Sequence, residues 1–580
     1  ERKRLFGIPG SSWRDYDPGK LSAGGGIFPR NLKSIPLSSQ VQALLRTELD
    51  HATPNQLIRM VLSAPVELLW NGGIGTYVKA STESHFEVED RSNDQLRVDA
   101  RDLRCRIVAE GGNLGFTQLG RLEFASLGGT INTDAIDNSA GVDCSDHEVN
   151  IKILLNRAMA AGDLTLKQRN QLLEKMTGDV AALVLRHNFV QTRAITTIQS
   201  RSKFQMDYYR RIITRLEQAA FLDPSLDKIP TDKMIEARKQ EGLGLLRPEI
   251  AVLMASAKNY LKQQLSGSPT ILESDFALAQ LQNYFPRTLV KKFLGPIQKH
   301  PLRHEIAANQ LINSLINRLG IVHPFRLIDE SGAGVADVVS AYCFACEIFD
   351  APILWSRIES LESGNIDRKI QSELLLAVNR LVERSMSWLS HHFRESKATP
   401  ERLAAFKPGI ETLSTALLNI VPEHQRQKIS TEMQRLVAAG VPDETARKVS
   451  SLSALFAFLD IIAVTIRCQK PLEEIAKSYF ALDEKLSWAV LVSLIGALPQ
   501  DSYWKSLART ALLDEFHKVC QSLALDSVLL SSGPEGLEQR WQARQANIQR
   551  YLSLLEKVQT ESHVDIDSIT VLIKELGSIV

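Results

Sequence analysis

The sequence predicts an α/β fold followed by an all-α region, that is, a partial Rossmann-like parallel sheet with a large helical C-terminal region. Glycines alternate with short apolar runs over the first 150 residues, a pattern typical of strands that end in tight turns. Farther along, long stretches carry apolar residues at spacings of three and four, as at Ile370, Leu374 and Val378. This spacing places the apolar side chains on one face of a helix. No repeat period accompanies it, so a solenoid is not predicted.

Three strands are predicted in the first part of the chain, at residues 66–70, at residues 105–109 and from Thr130 to near Asn138. In open parallel sheets, ligands bind beyond the carboxyl ends of the strands, so the three following loops are candidate binding sites. Their glycines would let a ligand approach the backbone, and their asparagines offer both a donor and an acceptor. A plain turn is nevertheless the commoner reason for glycine after a strand, and the pattern alone leaves both interpretations open.

Among the predicted helices are residues 145–162, 165–187, 367–394 and 443–467. The apolar segments at 452–466 and 489–498 are shorter than the roughly 20 residues of a membrane span. We therefore interpret them as buried helices and expect no membrane partner.

Charge and cysteine content exclude several classes of protein. The chain has 68 basic and 67 acidic residues, so it lacks the basic field that nucleic-acid binding requires. Its six cysteines are sparse, which favours a reducing compartment, and we expect a cytoplasmic protein without disulfides. No signal peptide opens the chain. Because an initiating methionine is also absent, we expect a fragment of a longer protein.

Sequence motifs for chemistry are weak when each is taken alone. Gly73 and Gly75 form G-x-G without a third glycine, so the pyrophosphate-binding turn of a dinucleotide fold is not visible. Ser145 and Glu148 fit a capping box at a helix start, where the positive end of the helix attracts carboxylates. A purely structural cap is the simpler interpretation of this motif. His147 would then lie in the first helical turn, where a solvated surface role is as reasonable as a functional one.

The remaining cysteine and histidine motifs predict no metal site. Cys343 and Cys346 have C-x-x-C spacing inside a helix-like run and are interpreted as core residues. Other histidines lack partners at metal-ligand spacing: His300, His304, His391 and His392.

Longer blocks resemble a known family. Residues 66–79, 108–124 and 131–152 are similar to the large NAD-specific glutamate dehydrogenases of bacterial type, and residues 11–26 and 246–254 fit the same family. The resemblance is strongest between residues 60 and 155 and suggests the C-terminal part of such an enzyme. It implies oxidative deamination of L-glutamate to 2-oxoglutarate and ammonia, with NAD as the cofactor that accepts the hydride.

The resemblance also implies roles for particular residues. The smaller glutamate dehydrogenases have an N-A-G-G-V block, similar to residues 138–142, that is followed by a serine. That serine contacts the side-chain carboxylate of glutamate in the family, and its counterpart here is Ser145. The family's catalytic lysine and aspartate precede the cofactor domain, and no lysine before Ser145 fits their motif. We therefore assign no catalytic residue, expect this chain alone to be inactive, and expect it to act with the remainder of its own polypeptide, as a homo-oligomer. The residues expected to bind NAD are Asn71, Gly72, Gly73, Gly112, Asn113 and Asn138.

On this resemblance the chain divides into three segments. Residues 1–150 are the C-terminal portion of the dinucleotide-binding domain, residues 151–220 are helices returning from it, and residues 221–580 form the helical C-terminal domain or domains. An alternative function is a helical scaffold for assembly or regulation that keeps only a remnant of the cofactor domain. A third hypothesis keeps the reaction but takes a branched or aromatic amino acid as the substrate. Ser145 argues against it, because the apolar side chain of such a substrate needs no polar contact.

Overall fold

The computed structural model describes residues 1–361, 366–392, 400–499, 502–529, 542–561 and 564–579. The chain forms two compact units. The first comprises Glu1–Tyr260 with Ala279–Ile306, and the second comprises Leu261–Leu278 with Ala307–Val580. The predicted segments 1–150 and 151–220 both fall within the first unit. The structure is mostly helical with small sheets, which agrees with a small α/β region and a large helical region.

All strands of the described residues lie in the first unit and form three two-stranded sheets. The first sheet is antiparallel and pairs β1 with β2, whereas β3 pairs with β6 and β4 with β5 in parallel. The strands are β1 (Ile35–Pro36), β2 (His51–Ala52), β3 (Leu68–Asn71), β4 (Val78–Lys79), β5 (Val98–Asp99) and β6 (Ile107–Glu110).

Two of the three predicted strands are confirmed, since β3 and β6 each lie within two residues of the expected position. The third is wrong beyond its first residue. Thr130 makes a single parallel bridge to Ile107, after which the chain turns into a helix at Asp134–Asp137 instead of extending towards Asn138. One apolar cluster, which includes Val78, Val108, Phe116, Phe124 and Ile131, forms the core around these strands.

The helices follow in chain order, and α12, α14 and α16 contain residues of both units. Those that begin in the first unit, together with α13 and α14, which begin in the second unit, are α1 (Arg2–Phe6), α2 (Ser39–Leu45), α3 (Pro54–Leu62), α4 (His85–Val88), α5 (Gln118–Ser126), α6 (Asp134–Asp137), α7 (Ser139–Ala160), α8 (Leu166–Lys175), α9 (Thr177–Ser202), α10 (Met206–Gln218), α11 (Asp232–Gln240), α12 (Arg247–Ser266), α13 (Pro269–Leu272), α14 (Asp275–Tyr284), α15 (Arg287–Gln298) and α16 (Arg303–Leu319).

The second unit continues with helices alone in its described residues. They are α17 (Val322–Ser331), α18 (Val335–Ile348), α19 (Ala351–Ser360), α20 (Arg368–His392), α21 (Pro400–Ile420), α22 (Glu423–Ala438), α23 (Asp443–Leu455), α24 (Ala457–Cys468), α25 (Leu472–Leu486), α26 (Trp488–Ala497), α27 (Tyr503–Leu529), α28 (Gln545–Thr560) and α29 (Ile566–Gly577).

Helix bounds depart from the sequence predictions where side chains pack or bend the chain. The predicted helix 165–187 is two helices that break at Met176, whose side chain is buried in the core of the first unit. The predicted helix 443–467 is broken after Leu455, where the chain bends by 56°. The predicted helix 367–394 corresponds to α20, and residues 393–394 lie outside the described residues.

The C-x-x-C cysteines and the apolar helices of the second unit agree with the prediction that they are core residues. Cys343 and Cys346 are buried on α18, and burial raises the pKa of both thiols, that of Cys343 to about 12. Across the described ranges, no single helix is long and apolar enough to cross a membrane, although the bent pairs α18 with α19 and α23 with α24 pass the test of length and composition together.

A buried carboxylate ties four helices of the second unit together. Asp460 on α24 is fully buried and accepts hydrogen bonds from Trp388 Nε1 at 2.8 Å and Gln521 Nε2 at 2.6 Å. Its other oxygen accepts from the Tyr479 hydroxyl at 3.0 Å and contacts His517 Nδ1 at 2.8 Å. Burial alone would raise the pKa of Asp460, but His517 and the donors outweigh it and hold this pKa below the usual range.

We predict that Asp460→Ala lowers the free energy of unfolding of the second unit by roughly 3–5 kcal/mol, because it leaves the buried hydrogen-bond partners of the carboxylate without an acceptor. Since the pKa of Asp460 is lowered, its contribution is present above the ordinary carboxyl range and is lost as the pH falls through the folded-state pKa. Denaturant unfolding at several pH values measures both effects. The control is Glu484→Ala at an exposed site on α25, which should change stability by less than about 0.5 kcal/mol. Equal effects of the two variants would contradict the assignment.

Candidate functional site

Two loops leave the same edge of the β3–β6 sheet. The strands are parallel, with Asn71 opposite Glu110, so the chain turns away from both strands at the same level. The Gly112 N–H donates to the Asn71 carbonyl oxygen at 2.9 Å. The Gly73 N–H donates to Asn71 Oδ1 at 3.3 Å. The structure therefore joins the loop that follows β3 to the loop that follows β6, at the strand ends where the sequence predicts a binding site.

The glycines of this edge differ in what surrounds them. A Cβ atom on Gly112 would lie 2.3 Å from the Gly73 carbonyl oxygen, so the contact between the loops itself excludes a side chain there. A Cβ atom on Gly72 would lie 2.7 Å from the Trp70 ring. Around Gly73, by contrast, no atom would lie within 4 Å of an added Cβ. Gly73 is thus the glycine whose backbone is open to a ligand.

Two asparagines extend the edge towards α7. Asn138 Nδ2 donates to Asn113 Oδ1 at 2.8 Å, and Asn113 is exposed. Asn138 is the residue that immediately precedes α7. The six residues that the sequence assigns to NAD therefore lie along one continuous hydrogen-bonded edge.

Ser145 does not cap a helix, and this prediction was wrong. Helix α7 begins at Ser139, so Ser145 lies inside it, exposed, with its hydroxyl donating to the Gly141 carbonyl at 3.4 Å. Tertiary contacts move the start of the helix: Asn188 Nδ2 donates to the Ile136 carbonyl at 2.8 Å and to Ser139 Oγ at 2.9 Å.

A buried ion pair fixes the loop after β6. Glu110, at the last position of β6, is fully buried and accepts hydrogen bonds from Arg121 Nε at 2.7 Å and Arg121 Nη2 at 2.9 Å. It also accepts from the Phe116 N–H at 3.1 Å, which closes the loop on itself. Burial raises the pKa of Glu110, whereas the surrounding carboxylates raise the pKa of Arg121. The contact between Arg121 and Glu110 is thus a bidentate, charge-assisted pair of hydrogen bonds.

Two further carboxylates hold the same loop from α6. Asp137 Oδ2 accepts from the Glu110 N–H at 3.0 Å, and Asp134 Oδ2 accepts from the Leu114 N–H at 2.8 Å. Arg121 also pairs with Asp134 at 3.1 Å. Sequence reasoning missed these positioning residues. The available signal was a charged residue at the end of an apolar strand and an arginine within the apolar spacing of α5.

His147 is neither in a first helical turn nor on the surface, which corrects both sequence expectations. Its side chain is fully buried in the third turn of α7 and stacks on the Tyr284 ring, with centroids 4.3 Å apart. Burial lowers its pKa below the ordinary value for histidine. The structure also brings His147 next to Asp143 and His187, a cluster that the sequence did not predict.

Family models match both parts of the chain. The model described as "Bacterial NAD-glutamate dehydrogenase, catalytic domain" matches residues 1–198, and the model described as "Glutamate dehydrogenase, C-terminal" matches residues 242–578. The chain belongs to the glutamate dehydrogenase family. The edge of the β3–β6 sheet lies within the part that matches the catalytic-domain model of this family.

Curated relatives match along almost the whole chain. The NAD-specific glutamate dehydrogenase of Pseudomonas aeruginosa is 39% identical over 580 residues, which is 99% of this chain and 36% of the relative. Those of Halomonas elongata and Mycobacterium tuberculosis are 38% and 36% identical over 587 residues, with the same coverage. The chain thus spans about a third of the length of these glutamate dehydrogenases.

We predict that Gly112→Ala in this family member lowers the free energy of unfolding of the first unit by about 1–3 kcal/mol, because the added methyl group forces two backbone segments apart. Gly73→Ala is the matched control at the same edge, and it should change stability far less because its Cβ enters open space. Thermal unfolding of the purified variants measures the difference. A Gly112→Ala variant as stable as Gly73→Ala would show that the loops are not in contact.

Proposed function

We propose that this chain forms one wall of the active site of an NAD-dependent glutamate dehydrogenase, which converts L-glutamate, NAD and water to 2-oxoglutarate, ammonia and NADH. The observation that carries the proposal is the edge at the carboxyl ends of β3 and β6, where an open glycine and exposed amides meet. Ligands of open parallel sheets bind at this end of the strands. The names of the curated relatives support the same reaction.

The edge has the chemistry to hold the nicotinamide and ribose end of NAD. Gly73 offers backbone that a ligand can approach without meeting a side chain. Asn138 donates a hydrogen bond to Oδ1 of Asn113. In the described residues no hydrogen bond involves Nδ2 of Asn113, so this side-chain nitrogen can donate to a carbonyl oxygen of a ligand. When bound, NAD supplies the acceptor for the hydride that leaves the α-carbon of glutamate. The residues proposed to hold it are Asn71, Gly72, Gly73, Gly112, Asn113 and Asn138.

Ser145 is proposed to contact the side-chain carboxylate of glutamate. It lies on α7, about 10 Å along the helix axis from Asn138, the residue that precedes the helix. Because the hydroxyl is exposed and bonded only weakly to the Gly141 carbonyl at 3.4 Å, turning it towards a carboxylate costs little. A hydrogen bond to a charged oxygen is roughly twice as strong as the neutral bond that it would replace.

Proton transfer is not assigned to this chain. Lys79 is buried and forms an ion pair with Asp99, which commits that lysine to the structure around β4 and β5. We propose that the catalytic lysine and aspartate come from the remainder of the polypeptide, that the 580 residues alone give no turnover, and that the enzyme is a homo-oligomer. A scaffold role in assembly is the alternative for the helical second unit.

We predict that the full-length gene product reduces NAD with L-glutamate, and that Ser145→Ala raises the KM for L-glutamate about tenfold or more, because a hydrogen bond to a charged carboxylate is lost. The KM for NAD should stay unchanged. Initial-rate measurements of NADH formation separate the two constants. The control is Ser126→Ala at the end of α5, where the hydroxyl bonds a carbonyl of its own helix in the same way. Equal KM values for L-glutamate in both variants would remove Ser145 from the substrate site, and absent turnover in the wild type would overturn the proposed reaction.

A further inference from the structure

Three potential metal ligands converge between α7 and α9 of the first unit. Asp143 and His147 lie one turn apart on the same face of α7, and His187 reaches them from α9. His187 Nδ1 lies 2.8 Å from Asp143 Oδ2, and His147 Nε2 lies 3.8 Å from Asp143 Oδ1. One ligand atom from each residue lies within 4.8 Å of the other two.

His147 is the member of this cluster that demands an explanation. Its side chain is fully buried, yet neither ring nitrogen makes a hydrogen bond with the parts of the chain that the structure describes. A buried polar group without a partner costs roughly 1–3 kcal/mol. The ring is held in this position by Tyr284, whose hydroxyl donates to Asp146 Oδ2 at 2.7 Å and accepts from Asn150 Nδ2 at 2.8 Å. The packing therefore presents an unsatisfied imidazole to Asp143.

We propose that Asp143, His147 and His187 bind a divalent transition-metal ion, with Zn²⁺ as the preferred ion. Two imidazole nitrogens and one carboxylate oxygen suit zinc and its neighbours in the first transition row, whereas Ca²⁺ and Mg²⁺ take oxygen ligands. Two ligands on a helix four residues apart project from one face, which is the spacing of the paired histidines in helical zinc sites. A third ligand from a second helix completes the set.

Side-chain rotation would have to bring the three ligand atoms closer together around an ion. Ligand atoms about 2.1 Å from a tetrahedral zinc ion lie about 3.4 Å apart, so a separation of 4.8 Å would have to shorten by about 1.4 Å. Asp143 and His187 can supply this movement because their side chains are 22% and 30% exposed. Their exposure also gives an ion a route from solvent and leaves room for water as a fourth ligand.

The bound ion would act as a clamp between two helices. Asn188, adjacent to His187, already donates to the Ile136 carbonyl and to Ser139 Oγ at the start of α7. An ion held by Asp143 and His187 would fasten α9 to α7 at the next turn. Any ion that binds the folded state alone raises its stability by mass action. This inference concerns a structural site and does not rest on the proposed dehydrogenase activity.

Direct titration of the chelator-treated, dialysed chain with Co²⁺ tests the site, because cobalt in a site of nitrogen and oxygen ligands gives visible absorption bands. We expect saturation at about one Co²⁺ per chain, displacement of the bands by Zn²⁺, and a Zn²⁺-dependent rise in the melting temperature of the first unit. His187→Ala and Asp143→Asn should each weaken Co²⁺ binding by more than about tenfold. The control is His51→Ala, which removes an exposed histidine elsewhere in the first unit and should bind as the wild type does.

Each variant is checked by circular dichroism, and Asp143→Asn, which keeps the shape of the side chain, decides the matter if His187→Ala does not fold. Absence of a saturable cobalt spectrum in the wild type would overturn the proposal. So would wild-type affinity in both ligand variants, since binding would then reside at scattered surface histidines. In either case the Asp143–His187 contact would be a hydrogen bond that only packs the helices.

Discussion

The buried ion pair between Glu110 and Arg121 is the constraint on which the candidate site depends. Glu110 is the last residue of β6, and the arginine bonds both of its carboxylate oxygens while also pairing with Asp134. One guanidinium therefore fixes the end of a strand, the loop that follows it and the helix α6. Loss of either partner would leave the other charge buried, at a cost of several kcal/mol. Apolar packing could stabilise the same elements but would not set the direction in which the loop leaves the strand.

Each of the two units contains a buried carboxylate that is surrounded by hydrogen-bond donors. In the first, a carboxylate at a strand end is surrounded by donors and a cation, and its loop lies against the loop after β3. In the second, Asp460 interrupts an apolar helix and gathers donors from three other helices. Buried charges of this kind are costly unless every oxygen has a partner, so each carboxylate dictates which side chains must meet around it.

The sequence predicted the parts of the fold that depend on local pattern. Apolar runs located β3 and β6, and the resemblance placed six candidate residues on what proved to be one edge. The third strand was mispredicted because Asp134 and Asp137 turn the chain into α6 and bond backbone N–H groups of the neighbouring loop. The helix start predicted at Ser145 was wrong for a similar reason, since Asn188, distant in sequence, fixes the start of α7 at Ser139.

The features that no local pattern could reveal are contacts between distant segments. His147 is buried because Tyr284 of α14 stacks on it, and it meets His187 because α9 packs on α7. The spacing of Asp143 and His147 was visible in the sequence, but the third ligand was not. Asp460 was visible as a charge within an apolar run, whereas its donors come from helices many residues away.

Amide hydrogen exchange in the full-length gene product, with and without NAD, tests most directly whether the strand-end edge is a wall of the cofactor site. NAD should slow exchange at the backbone amides of residues 72–75 and 111–116 and leave the helices α23 to α25 of the second unit unchanged. NAD binding at saturating concentration without any change in those two loops would contradict the placement of the cofactor at this edge.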